Sequence, residues 1–310
     1  MQATAVILHE PERLALGAVG LIPPRAEDVV VDVAWSGIST GTERLLYTGR
    51  MPSFPGMGYP LVPGYEAVGR VAEAGATSGR KVGEQVFVAG ARCFEGVRGL
   101  FGASASRLVI PGDRAVPVDS AWGDQAVLLA LAATAFHAVN IGPVPDLIVG
   151  HGVLGRLIAR IAVALGGEPT VWEKQPLRRE GDHGYRVSSS EADERRDYGV
   201  ICEASGDPGI LDTLFSRLAP GGEVVLAGFY EERLSFDFPA AFMRVARLRI
   251  AAQFSPRDVR AVVGLVAEGR LSLDGLVTHR RAAAEAEDAY RTAFGDPACL
   301  KMILDWRNLT

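Results

Sequence analysis

An apolar segment that runs into a glycine-rich turn constrains this 310-residue chain more than any other feature. Leu147-Ile148-Val149 is continuously apolar, as expected of a strand that is buried on both faces of a sheet. It leads directly into Gly150-His151-Gly152-Val153-Leu154-Gly155, and a helical pattern of apolar residues follows. Strand, glycine turn and helix in this order are typical of the phosphate-binding unit of a dinucleotide-binding domain. The alternative interpretation is a turn that only packs the helix on the strand.

Each glycine of such a turn has a separate role. Gly150 permits the tight turn, Gly152 lets the backbone approach a diphosphate, and Gly155 lets the helix pack closely on the strand. The first backbone N–H groups of the helix, at Val153 and Leu154, point toward the phosphates and carry the positive end of the helix dipole. We therefore predict cofactor contacts at all five residues.

An acidic residue, Glu173, ends the next apolar segment, about 20 residues after the turn. A carboxylate at this place accepts hydrogen bonds from both ribose hydroxyls and repels a 2′-phosphate. The sequence therefore favours NAD over NADP as the cofactor, although Lys174 beside Glu173 acts in the opposite direction. The alternative is that Glu173 is a solvated residue at a strand end.

Two later segments should face the same cofactor. Ligands of open α/β sheets lie outside the carboxyl ends of the strands. Ser205 and the pair Gly228-Phe229 follow predicted strands, so we predict that they contact the cofactor. Ordinary turns are the alternative at both places.

The pattern of predicted elements changes near residue 124. Before it, short segments rich in β-branched residues are separated by Gly and Pro, which predicts a barrel-like β domain; examples are 29–35, 67–71 and 85–88. After it, strands and helices alternate, which indicates a parallel sheet with crossover helices. The strands are predicted at 146–150, 169–173, 198–203, 223–228 and 248–252, and the helices at 124–139, 154–165 and 257–269. The expected fold class is α/β, with a β-barrel domain and a doubly wound parallel-sheet domain.

Composition excludes several other classes of protein. The net charge is −5 and no run of Lys and Arg occurs, so we expect no nucleic-acid partner. The three cysteines are far apart and form neither a disulfide framework nor a zinc ribbon. No apolar run is long enough to span a bilayer, and the first residues lack the pattern of a signal peptide. We expect a cytoplasmic protein that does not span a membrane.

Four segments carry a resemblance to a known family. They are Ser-Gly-Ile-Ser-Thr-Gly-Thr-Glu at 36–43, Gly-Tyr-Glu-Ala-Val-Gly at 64–69, Gly-Glu-Gln-Val at 83–86 and Thr-Ala-Phe-His-Ala at 134–138. With the late glycine turn, they resemble the medium-chain dehydrogenase/reductase superfamily over nearly the whole chain. The resemblance implies a GroES-like catalytic domain at 1–135 with 256–310, a Rossmann domain at 136–255, and a homodimer of the kind that many members form.

The resemblance also implies a member without zinc. In zinc-dependent members, a cysteine and a histidine of the first two segments bind the catalytic metal, and here those positions are Ser39 and Tyr65. The usual third ligand position is Ala130, which leaves Glu66 as the only potential ligand in place. One carboxylate does not hold a catalytic zinc, which requires three protein ligands. We expect no metal cofactor.

Without a metal, side chains must orient a substrate hydroxyl and accept its proton. The positions that match the metal site make Ser39, Thr42, Tyr65, Glu66 and His137 the candidate catalytic residues. Our hypothesis is that Tyr65 with Thr42 orients the hydroxyl, and that His137 or Glu66 relays the proton. The alternatives are that His137 is a packed histidine, that Tyr65 fills the space of the metal, and that Ser39 and Thr42 are turn residues.

A narrower resemblance concerns the substrate. The same segments with a short nucleotide domain resemble the members that act late in bacteriochlorophyll synthesis. This implies NAD-dependent oxidation of the 3-(1-hydroxyethyl) group of a bacteriochlorophyllide a precursor to 3-acetyl, with a tetrapyrrole as the small-molecule substrate. A zinc-free quinone or enone reductase, a non-catalytic NAD-binding sensor and a polyol dehydrogenase with unusual metal ligands are the alternatives. Five apolar side chains would line a wide cleft for the macrocycle or close the β domain's own core; they are Met51, Phe54, Met57, Tyr59 and Phe101.

Overall fold

A computed structural model describes residues 1–251 and 253–309. The strands are β1 (Gln2–Glu10), β2 (Arg13–Gly20), β3 (Asp28–Ile38), β4 (Leu61–Val62), β5 (Ala67–Ala74), β6 (Gln85–Val88), β7 (Arg98–Gly99), β8 (Arg107–Pro111), β9 (Ala115–Pro117), β10 (Leu147–Val149), β11 (Thr170–Trp172), β12 (Arg186–Ser188), β13 (Tyr198–Glu203), β14 (Leu218–Leu226), β15 (Arg247–Ile250), β16 (His279–Ala282) and β17 (Met302–Asp305). The α-helices are α1 (Thr42–Tyr47), α2 (Leu129–Asn140), α3 (Val153–Ala164), α4 (Pro176–Arg179), α5 (Leu211–Arg217), α6 (Phe238–Met243), α7 (Pro256–Ala267) and α8 (Ala286–Gly295).

The described residues form two compact units. The first contains Met1–Ala130 and the chain from Leu273 onward, and the second contains Leu131–Ser272. The predicted domains placed residues 256–272 in the β domain, whereas the structure places them in the second unit. Two hydrogen bonds show why: Arg270 donates to the carbonyl of Ala164 at 2.9 Å, and Arg160 donates to that of Ser272 at 2.8 Å.

Six parallel strands form the sheet of the second unit, in the order β12-β11-β10-β13-β14-β15. This is the order 3-2-1-4-5-6 of doubly wound dinucleotide-binding domains, and it confirms the predicted sheet. The winding reverses between β10 and β13, where Val149 is in register with Glu203. The carboxyl ends of these two strands therefore mark the place where such a sheet binds its ligand.

The predicted strands of the second unit correspond to β10, β11, β13, β14 and β15. For the last of them, Ala252 lies outside the described residues. The sequence missed β12, α4, α5 and α6, because elements of three to seven residues carry too few side chains to show a clear period.

The first unit is mainly antiparallel. One sheet has the order β2-β1-β4-β7, and a larger one has the order β16-β17-β3-β5-β6-β9 with β8 paired to β3. Apolar residues of both sheets share one core, to which α8 also contributes. β17 pairs with β3 through Leu304 and Ser36, so the chain just before β17 lies beside the segment that follows β3.

Candidate cofactor and catalytic sites

The glycine turn of the second unit joins β10 to α3. Gly150 has φ +96°, in the left-handed region that favours glycine. A Cβ at Gly155 would lie 1.8 Å from the carbonyl oxygen of Gly150, so no side chain fits between helix and strand. A Cβ at Gly152 would meet no atom nearer than Nη1 of Arg178, at 4.0 Å. Gly152 therefore faces open space, which is the cradle that a diphosphate requires.

The first turn of α3 offers backbone donors to that space. Gly152 is the residue that precedes the helix, and no side chain caps the helix there. The first N–H groups of a helix, here those of Val153 and Leu154, have no partner within the helix. Together with the open space at Gly152, these donors are suited to an anion, and their contact with the phosphates of a cofactor stays a prediction.

Glu173 follows β11 and is held by backbone donors. Its Oε2 accepts from the N–H of His151 at 3.0 Å, and its Oε1 accepts from the N–H of Gln175 at 2.8 Å. The residue is only 7 % exposed. Each carboxylate oxygen keeps a further lone pair, so Glu173 is able to accept ribose hydroxyls from a fixed position beside the turn.

Glu203, at the end of β13, is a residue that the sequence interpretation missed. Its side chain is completely buried and accepts hydrogen bonds from the N–H groups of Ser205 and Gly206 and from the hydroxyls of Ser205 and Tyr230. Burial raises the pKa of its carboxyl, while these hydrogen bonds act in the opposite direction. Glu203 thereby joins the loops after β13 and β14. Its place at the end of a predicted strand was the signal that could have indicated it.

The predicted contacts Ser205, Gly228 and Phe229 lie around this buried carboxylate. The amide and hydroxyl of Ser205 both donate to Glu203. A Cβ at Gly228 would approach the amide nitrogen of Gly206 to 3.0 Å, and Phe229 is 51 % exposed. The structure places all three at the carboxyl edge that carries the glycine turn, and their contact with a cofactor stays a prediction.

His137 lies on α2 in the second unit. Its Nδ1 is 3.1 Å from Oδ2 of Asp258, which also accepts from the N–H and hydroxyl of Ser255 at the start of α7. Burial alone would raise the pKa of Asp258, but the hydrogen bonds from Ser255 and His137 outweigh it and lower that pKa. An ionised Asp258 accepts the Nδ1 proton, which leaves Nε2 of His137 as the nitrogen that can accept a proton.

Polar side chains, all of them buried except the half-buried Tyr65, form a second cluster in the first unit. We call it the polar cluster, and its members are Ser39, Glu43, Tyr65, Glu66, Tyr290 and Lys301. Three of the five predicted catalytic residues belong to it, and a fourth, Thr42, hydrogen-bonds to Tyr65. Such a network specifies a single arrangement only if its members find partners.

Tyr65 is the half-buried member of the polar cluster. Its hydroxyl lies 2.7 Å from the hydroxyl of Ser39, and its ring meets that of Phe101 edge-on at 5.8 Å between centroids. Burial raises the pKa of Tyr65 above its usual value, and the nearby carboxylate of Glu66 acts in the same direction. The phenol is therefore protonated at neutral pH and serves as a hydrogen-bond donor, not as a base.

Glu66 and Lys301 form an ion pair without exposure to solvent. Lys301 contacts Oε2 of Glu66 and donates to the carbonyl of Ile38 at 3.1 Å, while Oε1 of Glu66 has no hydrogen-bond partner among the described residues. Burial raises the pKa of Glu66, and Lys301 opposes that shift. The sequence interpretation missed Lys301, because only the pairing of β17 with β3 brings it to this segment.

Glu43 occupies the other end of the polar cluster. Its Oε1 accepts from the N–H of Ser39 at 3.0 Å, and its Oε2 accepts from the hydroxyl of Tyr290 at 2.5 Å. Burial raises the pKa of Glu43 to about 7, although these hydrogen bonds act in the opposite direction. The carboxyl is therefore neutral in weak acid in the folded protein.

The raised pKa of Glu43 predicts a pH-dependent stability. The folded state holds this proton more tightly than the unfolded chain, so the stabilisation is complete below the ordinary pKa of 4.5 and is lost as the pH rises through about 7. We expect this residue to lower the free energy of unfolding by roughly 2 kcal/mol between about pH 5 and pH 8. Urea titrations of the wild type and of Glu43→Gln across this range measure the difference, and identical pH dependences would show that Glu43 does not titrate there.

The apolar side chains predicted for a substrate cleft pack against the core of the first unit. Met51 is buried, and Phe54, Met57, Tyr59 and Phe101 are half-buried beside it. The hydroxyl of Tyr59 donates to the carbonyl of Leu46 at 2.5 Å. The core alternative therefore accounts for their packing, and four of them retain some exposed surface.

Within residues 1–251 and 253–309, no three His, Cys, Asp or Glu side chains come together as a possible metal site. In the same part of the chain, no helix has both the length and the apolar character needed to cross a bilayer.

Comparison with known proteins identifies the family. Residues 25–120 match the alcohol dehydrogenase GroES-like domain. Two proteins named 2-desacetyl-2-hydroxyethyl bacteriochlorophyllide A dehydrogenase align with this chain, and each alignment covers 99 % of this chain and 99 % of the relative. The protein of Rhodobacter capsulatus is 55 % identical over 312 residues, and that of Cereibacter sphaeroides is 56 % identical over 315. The chain belongs to their family, within the medium-chain dehydrogenase/reductase superfamily. It is thus an oxidoreductase of the alcohol dehydrogenase type.

A solved structure supports the fold. A protein described as a short chain alcohol dehydrogenase from E. coli CFT073, complexed with cofactor NADH, has a TM-score of 0.84 and 20 % identity, and the match covers 98 % of this chain and 99 % of that one. At this identity the likeness shows the fold alone, and it confirms a GroES-like domain joined to a Rossmann domain.

Proposed function

We propose that this protein is an NAD-dependent dehydrogenase that oxidises the 3-(1-hydroxyethyl) group of a bacteriochlorophyllide a precursor to 3-acetyl. The observation that carries the proposal is the identity of 55 % and 56 %, along nearly the whole chain, to two dehydrogenases whose names state a hydroxyethyl bacteriochlorophyllide. The substrate is a small-molecule tetrapyrrole. Three buried cysteine thiols support a reducing, cytoplasmic location.

The second unit supplies the proposed cofactor site. The glycine turn and the first N–H groups of α3 would hold the diphosphate, and Glu173 would accept the hydroxyls of the adenosine ribose. Because the carboxylate of Glu173 is fixed by two backbone donors, it opposes a 2′-phosphate, which supports NAD over NADP. When bound, NAD supplies the acceptor for the hydride of the alcohol.

The polar cluster and His137 supply the proposed chemistry of the hydroxyl. Protonated Tyr65, held by Ser39 and Thr42, would orient the substrate oxygen through a hydrogen bond. The pairing of His137 with Asp258 supports His137 as the proton acceptor. The enclosed pair of Glu66 with Lys301 supports a different role for Glu66, which is to hold the end of β3 in place through the bond from Lys301 to the carbonyl of Ile38.

Turnover with a defined substrate tests the proposed function. Purified protein should convert a 3-(1-hydroxyethyl) bacteriochlorophyllide to the 3-acetyl product with one NADH formed per molecule, and NADP should be the poorer acceptor. A polyol and a quinone are the controls, and neither should be a substrate. Efficient NADPH-dependent reduction of the quinone would instead support a quinone reductase, and NADH binding without any turnover would support a sensor.

We also propose that catalysis requires no zinc. Ser39 and Tyr65 stand at the positions of zinc ligands in metal-dependent relatives, and a hydroxyl pair is a poor donor set for zinc. We expect purified protein to contain far less than one zinc per chain and to keep its full rate after treatment with EDTA. Elemental analysis together with the rate before and after the chelator measures this. Stoichiometric zinc whose removal abolishes the rate would contradict it.

A homodimer is our proposal for the quaternary structure. β15 is an edge strand of the second unit's sheet, and Ile250 on it is 72 % exposed. Exposed apolar side chains also occur on α6 and in the turn that leads to β15; they are Phe238, Phe242, Met243 and Val245. An edge strand with exposed apolar side chains is a template for pairing with a second copy, which would continue the sheet across a twofold axis.

Ile250→Asp should therefore convert the dimer to a monomer, because it places a charge on the exposed edge strand β15. Sedimentation velocity measures the change. Val82→Asp is the matched control, because Val82 is 67 % exposed in the first unit and should leave the dimer intact. A monomeric wild type, or a dimer that Ile250→Asp does not weaken, would contradict the proposal.

A further inference from the structure

A histidine lies between the first two glycines of the turn, and its side chain is completely buried. Nδ1 of His151 is 2.6 Å from the carbonyl oxygen of Arg178, and Nε2 is 2.9 Å from the hydroxyl of Tyr185. A carbonyl oxygen only accepts, so Nδ1 carries the proton and Nε2 accepts from Tyr185. Burial, assisted by the nearby charge of Arg156, lowers the pKa of His151 to about 3, so the ring stays neutral and keeps both hydrogen bonds at working pH.

The two hydrogen-bond partners of the His151 ring, Arg178 and Tyr185, belong to one segment of the chain. We call residues 174–185 the adenosine segment. It connects Glu173, the proposed partner of the adenosine ribose, to β12. Its only helix is α4, which has four residues and buries none of them. Arg156 of α3 adds to the contact, since its guanidinium donates to the carbonyls of His151 and Arg178, each at 3.2 Å. His183 meets the His151 ring edge-on at 4.6 Å between centroids.

The same residue also holds the acidic group beside the turn. The backbone N–H of His151 donates to Oε2 of Glu173, whose Oε1 is held by Gln175 at the start of the adenosine segment. A change in the position of this segment therefore moves one of the two donors that fix the carboxylate. A small apolar side chain between the glycines would permit the same turn but would make neither ring hydrogen bond.

We propose that His151 is a positioning residue for the adenosine half of the cofactor. Its imidazole clamps the adenosine segment to the glycine turn and thereby fixes Glu173 for the ribose. The inference rests on the proposed function, because it requires that this turn binds NAD.

Binding of NADH and of ADP-ribose to purified variants tests the inference. His151→Ala removes both ring hydrogen bonds and should weaken both ligands about tenfold, since about 1.4 kcal/mol corresponds to that factor. His151→Asn keeps a donor where Nδ1 stood and loses only the acceptor for the hydroxyl of Tyr185. Tyr185→Phe loses the same hydrogen bond from the other side. Each variant should therefore bind both ligands about threefold more weakly. The double variant should bind the ligands about as weakly as either single variant, because both substitutions break the same hydrogen bond. In turnover, KM for NAD should rise while kcat stays unchanged.

Tyr198→Phe is the control for a purely structural effect. Tyr198 is the first residue of β13, at the amino ends of the parallel strands, whereas the glycine turn lies at their carboxyl ends. Its hydroxyl donates to Asp193 at 2.5 Å. This variant should melt at a lower temperature but bind both ligands like the wild type. Folded His151→Ala that binds ADP-ribose as tightly as the wild type, or a loss confined to NADH, overturns the inference. If His151→Ala fails to fold, wild-type affinity in both His151→Asn and Tyr185→Phe overturns it. Failure of the wild type to bind either ligand would instead remove the proposed cofactor site itself.

Discussion

Tyr65→Phe is expected to lower kcat about 100-fold and to leave NADH affinity unchanged. The substitution removes only the hydroxyl that would orient the substrate oxygen, and loss of one positioned hydrogen-bond donor to an oxygen that develops negative charge costs about 10² to 10³ in rate. The ring of Tyr65 still packs against Phe101, so the fold should be retained. Steady-state kinetics with the 3-(1-hydroxyethyl) substrate, together with an NADH titration, measures both quantities.

Tyr59→Phe is the matched control for this prediction. It also removes a hydroxyl from a half-buried tyrosine of the first unit, here one that donates to the carbonyl of Leu46. Because that bond only fixes a loop, the control should keep kcat within a factor of about two. A Tyr65→Phe enzyme as fast as Tyr59→Phe would show that Tyr65 only fills the space of a metal.

Lys301→Met is expected to lower the free energy of unfolding by about 3–5 kcal/mol, because it leaves the carboxylate of Glu66 buried without a cation. The effect should shrink toward low pH, since burial raises the pKa of Glu66 and the unpaired carboxyl then takes up a proton. Chemical denaturation at two pH values measures the loss and its pH dependence.

Two comparisons decide whether the pair itself is responsible. Adding Glu66→Gln to Lys301→Met removes the unpaired charge and should recover part of the loss. Arg307→Met breaks the exposed ion pair with Asp305 and should cost at most about 1 kcal/mol. If Lys301→Met were no more destabilising than Arg307→Met, the pair of Glu66 with Lys301 would not hold the end of β3.

The sequence predicted the second unit better than the first, for a physical reason. Buried parallel strands are apolar over most of their length, so β10, β13 and the glycine turn that follows β10 are visible locally. The first unit is built from short strands paired over long distances, such as β3 with β17. Nothing near Lys301 indicates that it will lie beside Glu66, and its role emerges only from that pairing.

The candidate site shows the same division. Ser39, Thr42 and Tyr65 were predicted from their matched positions, and the structure brings them together. Glu203 was missed because its four donors come from two loops that meet only in the folded sheet. Glu66 was predicted as a proton acceptor, and nothing in the sequence indicated that Lys301 would form a buried ion pair with it.

Isotopic labelling tests the central claim most directly. The 3-(1-hydroxyethyl) bacteriochlorophyllide, with deuterium on the carbon that bears the hydroxyl, is incubated with NAD and the purified wild type. Mass spectrometry should find the deuterium in the NADH and none in the 3-acetyl product, at one label per turnover. Unlabelled NADH beside an acetyl product, or no product from protein that binds NADH, would contradict the account.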